Sequence, residues 1–296
     1  MKIFLTGANG FVGNSIKKYL SNTIHYTNFN REQNIVIKED IVFHFAGKAH
    51  DLKKTSKTKD YYKINTELTQ KIFDAFLDSD AKVFIVLSSV KAAADELNVV
   101  LTENHLPNPI THYGKSKLLA EQYILSKEIP KGKRVYILRP TMIHGPGNKG
   151  NLNLLYKLFS AGIPWPLGSF DNKRSFCSIE NLMFIIKELI DREDISSGVY
   201  NIADDETLST NALITILAES QNRKAKIWKV SKKLVQALAK IGDVLRLSFT
   251  TERLQKLTES YVVSNLKIKS AIGKDLPVSA KDGLLKTFKS FCFNVK

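Results

Sequence analysis

Apolar residues in the first half of the chain occur in short runs that alternate with amphipathic segments. Four runs have the pattern of strands buried on both faces, at residues 2–6, 40–45, 81–87 and 134–138. Three segments carry apolar residues at helical spacing, at residues 11–20, 61–77 and 113–126. Strands that alternate with helices predict an α/β fold, in which helices cover both faces of a doubly wound parallel sheet.

The pattern changes after Arg139. Residues 140–180 contain four prolines and five glycines, which predicts loops rather than sheet core. Residues 198–203 predict one more strand, and amphipathic spacing predicts helices at residues 209–220, 232–247 and 280–291. We therefore expect a sheet domain over residues 1–145, to which residues 175–205 return, and a smaller, mostly helical C-terminal substrate lobe from residues 146–174 and 206–296.

The composition of the 296 residues is that of a globular protein, with 43% apolar residues and a net charge of +15. The two cysteines, Cys177 and Cys292, are too few for a disulfide scaffold. No apolar run reaches the roughly 18 residues of a membrane span, and the N-terminus lacks the pattern of a signal peptide. We expect a cytoplasmic protein without membrane insertion.

The positive charge has several interpretations. Lysines are scattered rather than clustered with aromatic residues, which argues against a nucleic-acid partner and favours solvated surface lysines. Their field also attracts polyanionic small molecules such as nucleotides. The basic amphipathic segment 232–247 fits either a helix on a membrane surface or a helix docked in the C-terminal lobe, and the docked helix is favoured.

A glycine motif follows the first predicted strand. Residues 6–13 read TGANGFVG, and their spacing of GxxGxxG lies between a strand and a helix. Such a turn lets the backbone approach a pyrophosphate, and the N–H groups of the helix start bind it. The motif predicts a Rossmann-type dinucleotide site at Gly7, Gly10, Phe11, Val12 and Gly13.

The second strand, predicted at residues 25–29, bears on the choice of cofactor. No acidic residue stands at its end to bind the ribose 2′-hydroxyl of NAD, and Arg31 follows. This favours NADPH over NAD, with a solvated Arg31 as the alternative. Only eight residues separate Arg31 from Asp40, too few for a crossover helix. We therefore expect the adenine side of the site to be unusually open.

Three residues downstream fit a proton-transfer site. Tyr113 and Lys117 are four residues apart on a predicted helix, so they share a face. Ser89 follows the strand at residues 81–87, and the carboxyl ends of parallel strands line the ligand crevice. Together with the glycine motif, this set predicts Ser89, Tyr113 and Lys117 as catalytic residues.

With these motifs the chain resembles the extended short-chain dehydrogenases/reductases, specifically the NAD-dependent epimerase/dehydratase group acting on nucleotide sugars. The motifs that carry the resemblance are TGANGFVG at 6–13, HFAGKAH at 44–50, INTELT at 64–69, LSSV at 87–90, YGKSK at 113–117, RPTMIHGPG at 139–147, RSFCSIENL at 174–182 and YNIADDE at 200–206. Residues 145–176 also resemble a bacterial subgroup that reduces 4-keto sugars, of the UDP-N-acetylquinovosamine dehydrogenase type.

The resemblance implies a role for each motif residue. Tyr113 exchanges a proton with the sugar oxygen, Ser89 binds the same oxygen, and Lys117 favours the phenolate and holds the nicotinamide ribose. Further cofactor contacts are implied for Ala46, Gly47, Asn65 and Pro140, and further substrate contacts for Asn151, Leu167 and the pyrophosphate-binding Arg174. The histidines lack the spacing of zinc ligands, so no metal is expected.

Related 4,6-dehydratases have an Asp-Glu pair where this chain has Val90-Lys91, which excludes water elimination. The favoured hypothesis is an NAD(P)-dependent reductase of a 4-keto-6-deoxy sugar linked to UDP. A UDP-sugar 4-epimerase with retained NAD is the close alternative, and a non-catalytic dinucleotide-binding scaffold or sensor is a distant one. The resemblance also suggests a homodimer formed through helices 61–77 and 113–126.

Overall fold

The computed structural model describes residues 1–20, 25–28, 35–49, 58–148, 150–247 and 249–292. Its strands are β1 (Lys2–Thr6), β2 (His25–Asn28), β3 (Ile41–His44), β4 (Val83–Leu87), β5 (Arg134–Pro140), β6 (Met142–His144), β7 (Arg174–Ser178), β8 (Gly198–Ile202) and β9 (Thr207–Leu208). Its helices are α1 (Phe11–Tyr19), α2 (Thr58–Tyr61), α3 (Leu68–Leu77), α4 (His112–Leu125), α5 (Asn151–Ser160), α6 (Ile179–Asp191), α7 (Thr210–Ser220), α8 (Lys232–Val244), α9 (Thr251–Thr258), α10 (Leu266–Ile272) and α11 (Ala280–Cys292).

A six-stranded parallel sheet in the order β2-β1-β3-β4-β5-β8 forms the centre of the fold. Its strands are apolar throughout because both faces are covered. Successive residues alternate between two cores: Ile3 and Leu5 pack in the core on one face, and Phe4 packs in the core on the other. The predicted Rossmann-type α/β fold is confirmed.

The register of the sheet brings the carboxyl ends of the central strands to one edge. Thr6 of β1 pairs with His44 of β3, and Leu87 of β4 pairs with Leu138 of β5. The residues that follow these strands therefore meet along one crevice, the usual ligand side of such sheets.

Strand β2 forms an edge of the sheet among the described residues. The predicted strand 25–29 is observed at His25–Asn28, while Phe29 and Arg31 lie outside the described residues. β1 pairs in parallel with both β2 and β3, so these two strands lie on opposite sides of β1.

The prediction that residues 140–180 are loops without sheet was wrong in part. This stretch contains α5 and strands β6 and β7, which join β9 in a second, three-stranded sheet. The prolines and glycines lie between these elements, and tertiary pairing formed strands that turn signals had hidden. The proposed domain boundaries at residues 145, 174 and 206 remain a prediction.

A separate core holds the C-terminal helices together. Buried side chains of α5, α7, α8, α9 and α11 meet there, among them Leu155, Leu217, Val235, Leu254 and Phe288. Helix α7 packs along α11, and both α5 and β7 contact α11. The lobe is mostly helical, as its amphipathic spacing predicts.

A buried ion pair joins α4 to β5. The Arg139 guanidinium donates to both carboxylate oxygens of Glu121, with Nε–O distances of 3.0 and 3.1 Å. The side chains are only 4% and 2% exposed, so each charge relies on the other for compensation. The hydroxyl of Ser88 also donates to Glu121. The pair lies one helical turn beyond Lys117.

We expect Glu121→Gln to lower the free energy of unfolding by about 3 kcal/mol, because it leaves the Arg139 charge buried without its counterion. The control is Glu252→Gln, which breaks an exposed pair with Lys256 on α9 and should change stability by less than about 1 kcal/mol. Urea denaturation measures both. If both variants lost the same small amount of unfolding free energy, the buried pair would contribute no more to stability than a surface pair.

Candidate active site

The turn between β1 and α1 has a shape that glycine alone allows. Gly7 has φ of +73°, and a Cβ there would lie 2.6 Å from the Ala46 nitrogen. A Cβ on Gly13 would lie 2.2 Å from the Gly7 oxygen. Gly10 precedes α1, and Phe11, Val12 and Gly13 form its first turn, which has no acidic residue. Their N–H groups lack helical acceptors, so the turn suits an anion.

The end of β3 forms the neighbouring wall. His44 is fully buried, with Nδ1 2.7 Å from the Thr6 hydroxyl and Nε2 2.8 Å from the Thr69 hydroxyl. Burial, with a smaller contribution from the nearby Lys117 charge, lowers the pKa of His44 to about 3. This imidazole is therefore neutral at physiological pH. It links Thr6 to Thr69 without adding charge to the site.

Gly47 leaves a space beside Lys117. A Cβ at residue 47 would lie 3.0 Å from Lys117 Nζ and 3.4 Å from Asn65 Oδ1. The backbone on either side is placed by Ala46, whose N–H donates to Thr6 Oγ1 at 3.1 Å, and by Lys48, whose N–H donates to Asn65 Oδ1 at 2.7 Å. The structure thus brings Ala46, Gly47, Asn65 and Lys117 together, as expected.

Asn65 lies on a π-helical turn, Tyr62–Glu67, that joins α2 to α3. Its side chain is fully buried and donates to Lys48 O and to the Ser116 hydroxyl, at 3.1 and 3.0 Å. Such turns often occur at functional sites. Amphipathic spacing predicted the helix over residues 61–77 but not this turn. A π-helical turn adds one residue to the helix, which hardly disturbs the spacing of its apolar residues.

Ser89 and Tyr113 meet at the end of β4. Ser89 begins the 3₁₀ turn Val90–Ala92 and accepts from the Lys91 N–H at 3.2 Å. Tyr113 lies in the first turn of α4, whose cap is Thr111, and the Ser89 side chain is close enough to act on the pKa of its hydroxyl. Lys117, one turn further, donates to Leu87 O at 2.7 Å. The three predicted catalytic side chains thus line one end of the sheet.

Close packing aligns α4 with the turn that carries Ser89. A Cβ on Gly114 would lie 2.4 Å from Lys91 O, so a side chain there would push the helix away. The Asp95 carboxylate accepts from the N–H groups of Ile110 and Thr111, at 2.6 and 2.8 Å. These contacts hold the start of α4 and hence Tyr113.

Burial sets the protonation of the pair on α4. It raises the pKa of Tyr113, an effect that the Ser89 side chain opposes. It lowers the pKa of Lys117 to about 8, opposed by the charge of Glu121. Near neutral pH the phenol is therefore protonated and the ammonium mostly charged, so the site holds a proton donor beside a cation.

Two more cations lie on the substrate side of Ser89. Lys91 Nζ stands 4.0 Å from the centre of the Tyr261 ring and donates to Asp95 O at 2.6 Å. Arg174 donates to Lys256 O at 2.7 Å and lies 4.0 Å from Glu259. Burial lowers the pKa of Lys91, and the positive charge of Arg174 contributes. Sequence reasoning missed Lys91 apart from its difference from the dehydratases, because its contact with Tyr261 is not a local pattern.

The other predicted site residues lie in several places. Pro140 is buried at the end of β5, and Asn151 is exposed at the start of α5. Leu167 is 3% exposed and packs in the C-terminal core, so a ligand reaches it only from the lobe's apolar pocket. Within the described ranges, no cluster of three His, Cys, Asp or Glu side chains could hold a metal.

The match to known proteins extends through the sheet and the site. The model of the NAD dependent epimerase/dehydratase family matches residues 3–203. The chain belongs to this family. The curated relatives of this chain include nucleotide-sugar epimerases and reductases.

Two curated relatives represent the two activities. The chain is 29% identical to a UDP-glucose 4-epimerase of Vibrio cholerae, over 98% of this chain and 95% of the relative. It is 24% identical to a UDP-2-acetamido-2,6-beta-L-arabino-hexul-4-ose reductase of Pseudomonas aeruginosa, over 80% and 63%. These relatives support an enzyme of nucleotide-sugar chemistry.

Two solved structures share the fold. MoeE5 in complex with UDP-glucose and NAD superposes with a TM-score of 0.77 at 19% identity, covering all of both chains. RMD from Pseudomonas aeruginosa complexed with NADPH has a TM-score of 0.71 at 19% identity, covering 98% of each chain. The neighbours thus bind either NAD or NADPH.

We expect an NMR titration of ¹³C-labelled lysine to show one resonance with a midpoint near pH 8 that is missing from Lys117→Met. Burial disfavours the charged ammonium of Lys117, whereas exposed lysines titrate at about 10.4. Lys115→Met, which removes an exposed lysine of the same helix, should leave this resonance in place. If the resonance with a midpoint near pH 8 persisted in Lys117→Met, its assignment to Lys117 would be wrong.

Proposed function

We propose that this enzyme transfers hydride at the fourth carbon of a sugar linked to a nucleoside diphosphate, most simply UDP. The observation that carries the proposal is the placement of Ser89 at the end of β4, next to the first turn of α4 with a protonated Tyr113, and of the Lys117 ammonium one turn further on the same helix. A scaffold or sensor would not require a buried proton donor with this support, so the non-catalytic alternative is not favoured.

The residues present fit a dinucleotide. The turn at Gly7 and Gly13 has no room for a Cβ and exposes helix N–H groups, which suits a pyrophosphate. Gly47 and Asn65 border the space beside Lys117, where a ribose would be held. A nicotinamide dinucleotide bound here supplies or accepts the hydride.

The chain's own residues manage the proton. Tyr113 donates its hydroxyl proton to the oxygen of a 4-keto sugar, and the Ser89 hydroxyl fixes that oxygen by a hydrogen bond. The Lys117 ammonium stabilises the phenolate that remains. Arg174 binds the diphosphate, since a guanidinium forms paired hydrogen bonds with phosphate oxygens. Asn151 and Leu167 complete the proposed substrate site.

Net reduction is the favoured direction. Tyr113 is protonated in the free protein because burial raises its pKa, which suits an acid that acts on a ketone. Residues 29–40 join β2 to β3, and the described part of this connection, residues 35–40, contains no helix that could cover the adenine half. A cofactor so placed exchanges readily, and since the sequence has Arg31 rather than an acidic residue after the second strand, we propose NADPH.

A 4-epimerase is the second candidate. The relative from Vibrio cholerae, which matches over 98% of this chain, is a UDP-glucose 4-epimerase. An epimerase uses the same three residues but oxidises and re-reduces one carbon with a retained NAD. We also propose a cytoplasmic enzyme and a homodimer through the helices predicted at residues 61–77 and 113–126. Within the described ranges, no helix is long and apolar enough to cross a bilayer.

We expect Tyr113→Phe to lower kcat for reduction of a UDP-4-keto-6-deoxy-N-acetylhexosamine about a hundredfold or more, because the proton donor is lost. The Kd for NADPH should stay the same. Tyr123→Phe is the matched control, because this tyrosine of α4 donates to Asp74 at 2.6 Å instead. If Tyr113→Phe retained a third of the wild-type rate, another group would supply the proton.

We expect the purified enzyme to carry little bound NAD and to oxidise one added NADPH per keto-sugar reduced. The reason is that a reductase must exchange its cofactor in each turnover. Absorbance of the reduced nicotinamide, with and without the keto-sugar, measures the stoichiometry, and NADH in place of NADPH measures the cofactor preference. Protein that arrives saturated with NAD and interconverts UDP-sugar epimers without added cofactor would instead identify the epimerase.

A further inference from the structure

Helix α8 packs on the C-terminal lobe through a narrow face of small residues. Val235, Ala239 and Gly242 are buried, and Gly242 is so close to the chain after the helix that a Cβ would lie 1.8 Å from Phe249 O. The docked helix favoured from the sequence is therefore present. Its large apolar side chains, however, are about half exposed or more.

Those large side chains form a second face that is open to solvent. Leu234, Leu238 and Ile241 are 54, 49 and 50% exposed, and their spacing of four and three places them in one row. Val244 and Leu245 extend the row and are 82 and 62% exposed. Few monomeric proteins expose contiguous apolar patches of this kind without a function.

The apolar surface continues beyond α8. Phe249, against which Gly242 packs, lines an open apolar pocket together with Leu158 and Ile163. Leu158 and Ile163 are themselves 52 and 57% exposed. Trp228, at 59% exposure, lies on the segment that pairs with Trp165 of the same pocket. We call α8 and these residues the apolar face.

A dense group of basic residues accompanies the apolar face. Residues 221–247 contain eight lysines and arginines and a single acid, Asp243, which accepts from the Thr251 N–H at 3.0 Å. Within the described part of the chain, no carboxylate lies within ion-pair distance of any of these eight side chains. Lys233 and Lys240 on α8 are exposed, so the segment presents uncompensated positive charge.

We propose that the apolar face docks on the surface of an anionic phospholipid membrane. Protein interfaces are depleted in lysine, whereas helices that lie in the membrane interface combine a row of large apolar side chains with lysines and arginines on the polar side. The apolar row enters the boundary between headgroups and acyl chains, and the long lysine stems let the ammonium groups reach lipid phosphates. This proposal does not depend on which sugar the enzyme uses.

The experiment is co-sedimentation of the full chain with vesicles of phosphatidylcholine mixed with an equal amount of phosphatidylglycerol. We expect binding that weakens with salt and is much weaker on phosphatidylcholine alone. Leu238→Ser with Ile241→Ser should weaken binding about tenfold, because two half-exposed apolar side chains no longer leave water. Lys233→Gln with Lys240→Gln should weaken it about tenfold on the anionic vesicles only.

The matched control is Val99→Ser with Leu106→Ser, which removes two exposed apolar side chains from the loop before α4 and should leave binding unchanged. Circular dichroism verifies that each variant is folded. Wild-type protein that fails to bind anionic vesicles, or serine variants that bind as well as wild type, would overturn the proposal. Sedimentation velocity that shows self-association lost on Leu238→Ser with Ile241→Ser would assign the face to a second copy and also overturn it.

Discussion

The site depends on the close packing of helix α4 against the end of strand β4. Gly114 allows the helix backbone to approach Lys91 O, and the Lys117 ammonium donates to Leu87 O, the last residue of β4. A side chain at residue 114 would separate these elements and move Tyr113 away from Ser89. The proximity of Tyr113 to Ser89 is therefore a consequence of backbone packing rather than of the two side chains alone.

Burial of charge behind the site shapes its electrostatics. Lys117 lies between a neutral His44 and the carboxylate of Glu121, which Arg139 holds in place. The charges of Glu121 and Arg139 compensate each other. The pair therefore stabilises α4 without fully neutralising the Lys117 ammonium. A cation of lowered pKa beside a protonated phenol is suited to proton transfer near neutral pH.

The C-terminal lobe combines two tasks in one small core. It carries Arg174 and Leu167, which we propose to contact substrate, and also α8, of which only Val235, Ala239 and Gly242 are buried. A helix that needed its large side chains for folding would bury them, since each buried leucine contributes about 2 kcal/mol. Their exposure therefore sets α8 apart from the other helices of the lobe.

The sequence by itself determined the central parallel sheet and the glycine turn, and it predicted the proposed catalytic set of Ser89, Tyr113 and Lys117. Apolar runs, glycine spacing and the four-residue separation of Tyr113 and Lys117 are local patterns, and local patterns specify strands, turns and helix faces directly. The sequence also predicted the short connection before Asp40, because that feature follows from counting residues.

Tertiary structure alone decided the rest. The second sheet forms because β7 pairs with β6 and β9, which are distant in the chain, so turn signals concealed it. The same limit applies to Lys91, whose contact with Tyr261 spans 170 residues, and to the π-helical turn at Asn65. For α8 the periodicity identified an amphipathic helix, but periodicity records only that two faces differ. Which face is buried depends on the elements that pack against it, and here the small residues rather than the leucines lie inside.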